Sequence, residues 1–285
     1  MALRQRALTI SLERQAQAEE LRLRAGRPMS VVLSGEEYSL GGGPVENREL
    51  DQVVEIASRA SLHAVLDQIR RGYLTMAGGH RIGLCGTAVM REGTIHSLSR
   101  ISSLNIRVAR QIQGAADPVM TAVCPGGRLT STLILAPPGL GKTTLLRDVI
   151  RQVSDGQSCT PLRVAVADER GEVAGLYQGR AQLDVGSRTD VLEGCPKAQG
   201  LMLLLRAMNP QVLAVDEITA PEDVAALRAA VGCGAVLLAT AHGEGRQDLE
   251  RRPLYLPLLE EHLFQRLVRI RQEGGRRYYH IEELD

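Results

Sequence analysis

In the second half of the chain, short apolar runs alternate with longer stretches of helical periodicity. The apolar runs carry no polar alternation, which indicates strands buried on both faces of a sheet. Because helical stretches separate them, we expect parallel strands with helices packed on both faces. The predicted strands are Thr132–Leu135, Val164–Ala167, Val212–Val215 and Ala235–Ala239; the predicted helices are Lys142–Val153, Lys197–Met208 and Glu222–Val231; and Leu267–Arg271 with Arg277–Ile281 predicts a hairpin.

The first half of the chain has a mixed pattern, with short alternating segments and two amphipathic ones. We predict an α+β domain over residues 1–125 and an α/β domain over residues 126–285, joined at the Pro125-Gly126-Gly127 turn. The predicted strands of the first domain are Glu20–Arg24, Ser30–Leu33, Arg81–Met90, Thr94–Ile101 and Asn105–Arg110, and its predicted helices are Arg48–Arg59, with Asn47 as N-cap, and Leu62–Arg71.

Composition excludes several classes of protein. The chain of 285 residues is 44% hydrophobic and has a net charge of +1, with six Tyr, one Phe and no Trp. Near-neutral charge and so few aromatic rings argue against a nucleic-acid-binding protein. The five cysteines are widely spaced without a C-x-x-C pair, which argues against a disulfide framework or a zinc site. No signal peptide is visible, and the longest apolar stretch, Ala229–Ala241, is too short to span a bilayer, so we expect a cytosolic chain without membrane insertion.

The segment 136–144, APPGLGKTT, has the chemistry of a phosphate-binding loop. It follows an apolar strand and opens a predicted helix, the context that a P-loop requires. Its glycines allow backbone N–H groups to converge on a triphosphate, and the helix N-terminus favours negative charge. Lys142 would contact the β- and γ-phosphates, and Thr143 would bind Mg²⁺. The predicted nucleotide contacts are Pro138, Gly139, Leu140, Gly141, Lys142, Thr143 and Thr144.

Lysine usage singles out two positions. Of the 34 Lys and Arg residues only Lys142 and Lys197 are Lys. Compositional bias accounts for the arginines, whereas a retained Lys indicates a need for a compact ammonium group. Lys142 fits that need inside a P-loop. No general motif accounts for Lys197, for which helix capping and catalysis both stay open.

Polar residues follow three of the predicted strands. Asp216 and Glu217 come after Val212–Val215, a pattern in which the Asp supports Mg²⁺ and the Glu orients water. Ligands bind at the carboxyl edge of parallel strands, so we expect the polar residues at these strand ends to converge near the P-loop. The other residues expected there are Asp168, Glu169, Thr240 and His242, the last as a γ-phosphate sensor or else as a packing histidine.

The order of these features resembles that of the secretion-type ATPases. In that group a P-loop, an acidic strand end, a segment like Leu205–Ile218 and a segment like Thr240–Gly243 follow one another. Further segments, among them Glu20–Arg24, Gly78–Gly83 and Ser103–Arg110, resemble the stage III sporulation protein AA family. The Asp-Glu-Arg sequence at position 168 departs from the Glu-Asp-Pro typical of secretion ATPases, which leaves open which acid has which role.

The resemblance implies a RecA-like P-loop ATPase core with a mainly parallel sheet, joined to a smaller N-terminal α+β domain. It implies ATP and Mg²⁺ as ligands and a homo-oligomer in the form of a hexameric ring. Its partners would be integral membrane proteins of the sporulation channel complex, and its location the mother-cell cytoplasm. Arginines of the N-terminal half would contact ATP across a subunit or domain boundary, with Arg81, Arg107 and Arg110 in the matching segments. These could instead be ordinary strand-face arginines.

We therefore expect an ATP-hydrolysing motor that energises assembly of, or transport through, the channel between mother cell and forespore. The expected catalytic residues are Lys142, Asp168, Glu169, Glu217, His242, Arg107 and Arg110. The alternatives are a RecA-like ATPase acting on nucleic acid, which the charge and aromatic content disfavour, and a scaffold that binds ATP without turnover.

Overall fold

The computed structural model of the chain describes residues 2–58 and 72–284. By their contacts these residues form two compact units. The first comprises the described residues up to 110 together with 175–182, and the second comprises 111–174 and 183–284. The predicted domain boundary after residue 125 falls inside the second unit, and a short segment from the second half of the chain joins the first.

The first unit is built around an antiparallel sheet, whose strands among the described residues run in the order Glu36–Ser39, Ser30–Leu33, Ala18–Arg24, Thr94–Arg107, Arg81–Arg91 and Tyr73–Thr75. Its core contains Leu23, Leu50, Leu74, Ile82 and Leu104. The elements are α1 (Ala2–Leu8), α2 (Leu12–Gln17), β1 (Ala18–Arg24), β2 (Ser30–Leu33), β3 (Glu36–Ser39), α3 (Asn47–Ala57), β4 (Tyr73–Thr75), β5 (Arg81–Arg91) and β6 (Thr94–Arg107), with a short ribbon of β9 (Leu176–Tyr177) and β10 (Arg180–Ala181).

Several sequence-based predictions for this unit need correction. Asn47 is the first residue of α3, and Glu46 is the N-cap; the Glu46 N–H donates to the Glu49 carboxylate at 3.0 Å. The two strands predicted at Thr94–Ile101 and Asn105–Arg110 are one strand, β6, which ends at Arg107. The helix predicted at Leu62–Arg71 lies outside the described residues.

The second unit carries the predicted alternation of strands and helices. The predicted strands Thr132–Leu135 and Val212–Val215 match the structure residue for residue. The elements are α4 (Asp117–Val123), β7 (Thr132–Leu135), α5 (Lys142–Asp155), β8 (Val164–Asp168), β11 (Thr189–Glu193), α6 (Lys197–Ala207), β12 (Val212–Val215), α7 (Pro221–Gly232), β13 (Val236–Ala241), α8 (Arg246–Glu250), α9 (Leu256–Glu260), β14 (Arg266–Glu273) and β15 (Arg276–Glu283).

The strands of the second unit form a sheet in the order β11-β8-β12-β13-β7-β14-β15. All neighbouring pairs are parallel except the β14–β15 hairpin, which is antiparallel. Alternate strand residues such as Leu133 and Leu213 pack with Leu201 of α6 and Leu227 of α7 in the main apolar core. Their complete burial explains why the strands carry continuous apolar runs.

This strand order fixes where polar groups can meet. Strand β13 lies between β7, which leads into the P-loop, and β12, which leads into Asp216. Since these strands are parallel, their carboxyl ends lie at one edge of the sheet, where ligands bind in open α/β sheets. Within the described residues, no helix has both the length and the apolar character needed to cross a membrane.

Candidate active site

The loop between β7 and α5 has the backbone conformation of a phosphate cradle. Gly139 and Gly141 have φ angles of 79° and 93°, which side-chain-bearing residues adopt only with strain. Helix α5 begins at Lys142 directly after Gly141, so its unpaired N–H groups and positive dipole end face the loop. Residues 137–139 are exposed, which leaves this loop open to solvent.

The Lys142 ammonium group lies at the centre of the site. Its Nζ donates to the carbonyl oxygens of Ala136 at 3.0 Å and Pro137 at 3.2 Å, and it lies 3.0 Å from Nδ1 of His242. Lys142 is only 7% exposed, and burial lowers its pKa, opposed by the negative charges of Asp216 and Glu217. A buried ammonium with few fixed anionic partners is well suited to a polyanionic ligand.

A hydrogen-bonded chain connects the P-loop to the end of β12 through Asp216. The hydroxyl of Thr143 donates to Asp216 Oδ2 and the hydroxyl of Thr240 to Oδ1, both at 2.6 Å. Thr240 in turn accepts the backbone N–H of Glu217 at 2.8 Å. Burial raises the pKa of Asp216, and the two hydroxyl donors oppose that shift. A hydroxyl beside a carboxylate fits Mg²⁺, which prefers oxygen ligands. Water and phosphate oxygens commonly fill the remaining coordination positions of a protein-bound Mg²⁺.

Glu217 ends a second polar chain that begins at Lys142. Its Oε1 lies 2.8 Å from His242 Nε2, and its Oε2 accepts from Arg170 at 3.1 Å. His242 therefore lies between the two groups, with Nδ1 toward the Lys142 ammonium and Nε2 toward the Glu217 carboxylate. The Glu217 backbone has a φ angle of 62°, which is unfavourable for a non-glycine residue. Residues with such strained backbone angles are concentrated at functional sites.

Asp168 uses its carboxylate to hold the loop that follows β8. Its oxygens accept the backbone N–H groups of Glu172, Val173 and Ala174 at 2.9 to 3.1 Å. Burial raises the pKa of Asp168, and these three N–H donors oppose the shift. Arg147 of α5 donates to the carbonyls of Glu172 and Val173, so the loop is held from both sides.

Glu169 and Lys197 form an ion pair next to this loop. Lys197 Nζ lies 2.8 Å from Glu169 Oε2, 2.9 Å from the Thr219 hydroxyl and 3.8 Å from Asp223 Oδ2. Lys197 is the first residue of α6, where the helix dipole disfavours a cation, and its carboxylate partners offset that cost. The bond to Glu169 spans the end of β8 and the start of α6, and the bond to Thr219 extends it to the segment after β12.

The structure therefore brings most of the predicted residues to one edge of the sheet. Lys142, Thr143, Asp216, Glu217 and His242 are linked by direct contacts, as described above. A small cavity beside them is lined by Asp168, Glu169, Arg170, Glu172, Lys197, Asp216 and Glu217.

The arginines predicted from the first half of the chain belong to the first unit. Arg107 is exposed at the end of β6, 3.8 Å from Glu20, and Arg110 donates to the Ala18 carbonyl at 2.7 Å. Arg81 of β5 lies over the ring of Tyr73, 4.1 Å from its centroid. The contact of Arg81 joins β5 to β4, and that of Arg110 joins the segment after β6 to β1. The Arg107 guanidinium, in contrast, is largely accessible to solvent.

Comparison with known proteins shows the family to which this chain belongs. A family model described as sporulation stage III, protein AA, matches residues 2–279. The chain belongs to this sporulation protein AA family. Stage III sporulation protein AA of Bacillus subtilis (strain 168) is 39% identical over 259 residues, an alignment that covers 90% of this chain and 83% of the relative. The resemblance inferred from the motifs is confirmed.

Solved structures show the fold of this sporulation protein AA family member. The pilus retraction motor PilT, determined with bound ADP, superimposes with a TM-score of 0.64 at 17% identity, covering 96% of this chain and 81% of PilT. The ATPase DotB of Legionella pneumophila gives 0.62 at 17% identity, covering 95% and 78%. The predicted α/β fold, with a RecA-like core, a mainly parallel sheet and a smaller α+β part, is confirmed.

Sequence reasoning missed several residues around the site of this family member. Arg147 had no visible signal, because a buried arginine in an amphipathic helix cannot be told from an exposed one by pattern alone. Arg170 stood in the noted Asp-Glu-Arg sequence, yet its contact with Glu217 depends on how the loop turns. The scarcity of lysine pointed to Lys197, but Thr219 and Asp223 as its partners could not be inferred.

Proposed function

We propose that this chain is a Mg²⁺-dependent ATPase of the secretion-ATPase type, a motor that energises assembly of, or transport through, the sporulation channel between mother cell and forespore. The observation that carries the proposal is the pair of polar chains that connect the P-loop with Glu217. One runs from Lys142 through His242 and the other from Thr143 through Asp216 and Thr240.

Nucleotide binding is assigned to the P-loop. Pro138 would line the phosphate site, and the backbone N–H groups of residues 139–144 would surround the phosphates. Lys142 would exchange its contacts with the Ala136 and Pro137 carbonyls for contacts with phosphate oxygens. Thr143 and Asp216 would hold Mg²⁺, which when bound supplies positive charge to the β- and γ-phosphates. The hydroxyl donors on Asp216 keep its carboxylate oriented toward Thr143.

The catalytic step is assigned to Glu217. Its carboxylate would orient and activate the attacking water, as a group fixed by the backbone bond to Thr240 and the side-chain bond to His242. His242 contacts both Lys142 and Glu217, so it would couple the presence of the γ-phosphate to the orientation of Glu217. Asp168 and Glu169 would add negative charge to the adjoining cavity and hold the β8 loop in place.

The assembly belongs to the same proposal. A homo-hexameric ring would place Arg107 and Arg110 of one subunit near ATP bound by the next, where they would balance charge that develops in the transition state. The ring would act in the mother-cell cytoplasm on integral membrane proteins of the channel complex. Membership of the sporulation family supports that setting, and the fold shared with PilT and DotB supports a motor.

The test is Glu217→Gln. This substitution keeps the size and hydrogen-bonding reach of the side chain but removes the charge that activates water. We expect ATP·Mg²⁺ binding, measured by fluorescence titration, to be retained while steady-state hydrolysis falls at least about a hundredfold.

The matched control is Glu260→Gln, at an exposed residue of α9 outside the site, which should hydrolyse ATP like the wild type. Undiminished hydrolysis by Glu217→Gln would overturn the assignment of Glu217. A wild-type chain that binds no nucleotide would overturn the proposed function as a whole.

A further inference from the structure

The β14–β15 hairpin places a guanidinium group against the P-loop. A Cβ atom built on Gly141 would lie 3.3 Å from Cζ and 3.4 to 3.5 Å from the two terminal nitrogens of Arg277. All three distances are similar, so the guanidinium plane faces the residue that precedes Lys142. Both groups belong to the second unit, so this contact is made within one chain and one compact unit.

Within residues 2–58 and 72–284, Arg277 has no anionic partner. In the part of the chain that the structure describes, no carboxylate lies within ion-pair distance of it, although neighbouring hairpin residues such as Glu282 and Glu283 pair with other cations. Arginine stays protonated at any physiological pH. Its guanidinium therefore adds a third source of positive potential to a loop that already has the α5 dipole and Lys142, and that combination is favourable only toward an anion.

The strand order shows which part of a nucleotide this arginine faces. Strands β13 and β12, which lead to His242 and Glu217, lie on one side of β7, and the β14–β15 hairpin lies on the other. If the γ-phosphate faces Glu217, the hairpin side is left for the phosphates nearer to the ribose. A cleft of about 340 Å³ on that side, lined in part by Leu140, Gly243 and Arg271, has room for the rest of the molecule.

We propose that Arg277 is a nucleotide-binding residue that contacts the phosphates away from the γ position, in the subunit that supplies the P-loop. The inference rests on the proposed function, since it needs the P-loop to bind a nucleoside diphosphate or triphosphate. Arg277 would be a cation from the same subunit as the P-loop, in addition to the arginines expected from a neighbouring subunit. Since ADP and ATP share these phosphates, Arg277 stabilises both complexes equally and sets nucleotide affinity instead of the rate of the chemical step.

The experiment compares Arg277→Ala with Arg276→Ala, at the adjacent strand residue whose side chain points to the opposite face of β15. Both side chains are exposed and carry the same charge.

Binding of fluorescent ADP·Mg²⁺ and of a non-hydrolysable ATP analogue is titrated for each chain, with Arg277→Gln as a second variant that keeps most of the aliphatic stem. We expect Arg277→Ala and Arg277→Gln to weaken both nucleotides by about tenfold or more. Arg276→Ala should stay within about twofold of wild type, because it removes the same charge without a phosphate contact.

Three results would overturn the inference: unchanged affinity in both Arg277 variants, an equal loss in Arg276→Ala, or a loss confined to the ATP analogue. Lys142→Ala in the same titration separates this inference from the proposed function. If the wild type binds, Lys142→Ala does not, and the Arg277 variants behave like the wild type, then the P-loop site stands and only the role of Arg277 fails. If the wild type does not bind either nucleotide, the proposed function fails first.

Discussion

Residue 217 combines an unfavourable backbone conformation with the central carboxylate of the site. A left-handed conformation costs a residue with a Cβ on the order of 1–2 kcal/mol. Three contacts hold Glu217 there: its N–H donates to Thr240, and its two carboxylate oxygens contact His242 and Arg170. The strain and the contacts together fix the direction of the carboxylate, which is what orientation of a water molecule requires.

This strain predicts an order of stability for two substitutions. Neither Glu217→Gly nor Glu217→Ala has a carboxylate, so their comparison isolates the backbone. Because glycine adopts a positive φ without steric cost, Glu217→Gly should be more stable than Glu217→Ala by about 1 kcal/mol in urea-induced unfolding.

At Ala225, an exposed residue inside helix α7, the same comparison of glycine with alanine should give the opposite order. There Ala225→Gly should lower the free energy of unfolding by about 0.5–1 kcal/mol, since glycine loses more backbone entropy in a helix. If Ala were the more stable residue at both positions, residue 217 would carry no backbone strain.

At the scale of elements, Lys197 joins three segments that are distant in sequence. Its ammonium at the start of α6 contacts Glu169 after β8 and Thr219 after β12. Lys197 is 5% exposed, and Asp223, 3.8 Å away, is almost equally buried. A compact ammonium reaches all three partners, which gives the physical reason for a lysine in a chain that otherwise uses arginine.

Removal of this cation should destabilise the second unit. Lys197→Met keeps the aliphatic stem but leaves the buried Asp223 charge without its cation, and we expect the free energy of unfolding to fall by about 3 kcal/mol. Arg206→Met on the same helix, where the side chain is exposed, should change it by less than about 0.5 kcal/mol. Equal values for the two variants in denaturant titrations would mean that Lys197 does not hold the segments together.

The elements of the second unit were largely predictable because buried parallel strands have a distinct pattern. Strand β11 was not predicted, since three of the five residues in its sequence, TDVLE, are polar and the strand forms a partly exposed edge of the sheet. The roles of adjacent acids were equally hidden. Asp168 and Glu169 differ by one position, yet the first accepts N–H groups of a loop and the second pairs with Lys197. Contacts of this kind depend on how loops close, which local pattern does not encode.

At the scale of the whole molecule, the proposed ring predicts that subunits share active sites. Lys142→Ala chains keep their arginines, and Arg107→Ala/Arg110→Ala chains keep their P-loop, so neither variant alone should hydrolyse ATP at the wild-type rate. A mixture of the two variants in equal amounts should recover roughly a quarter of wild-type activity. In a randomly mixed head-to-tail ring, about half of the P-loops are intact, and about half of these face a neighbour with intact arginines.

Light scattering with and without ATP·Mg²⁺ accompanies this mixing experiment. A mixture as inactive as its two components, in chains that do assemble, would place the arginines in the same subunit as the ATP. A wild-type chain that stays monomeric, with an ATPase rate per chain independent of protein concentration, would contradict the ring.

Strand β14 has a consequence for when the proposed nucleotide site can form during synthesis. The β7 strand pairs with β14, and the contact between Ser131 and Gln265 beside this pairing joins residues 134 positions apart. Until β14 emerges from the ribosome, one edge of β7 has no partner strand, and the β14–β15 hairpin that carries Arg277 cannot form. Distant parallel pairing of this kind forms late in folding. We therefore expect the ribosome to synthesise the P-loop long before the nascent chain can complete the proposed nucleotide site, so the order of the strands would delay tight ATP binding until β14 and β15 have folded.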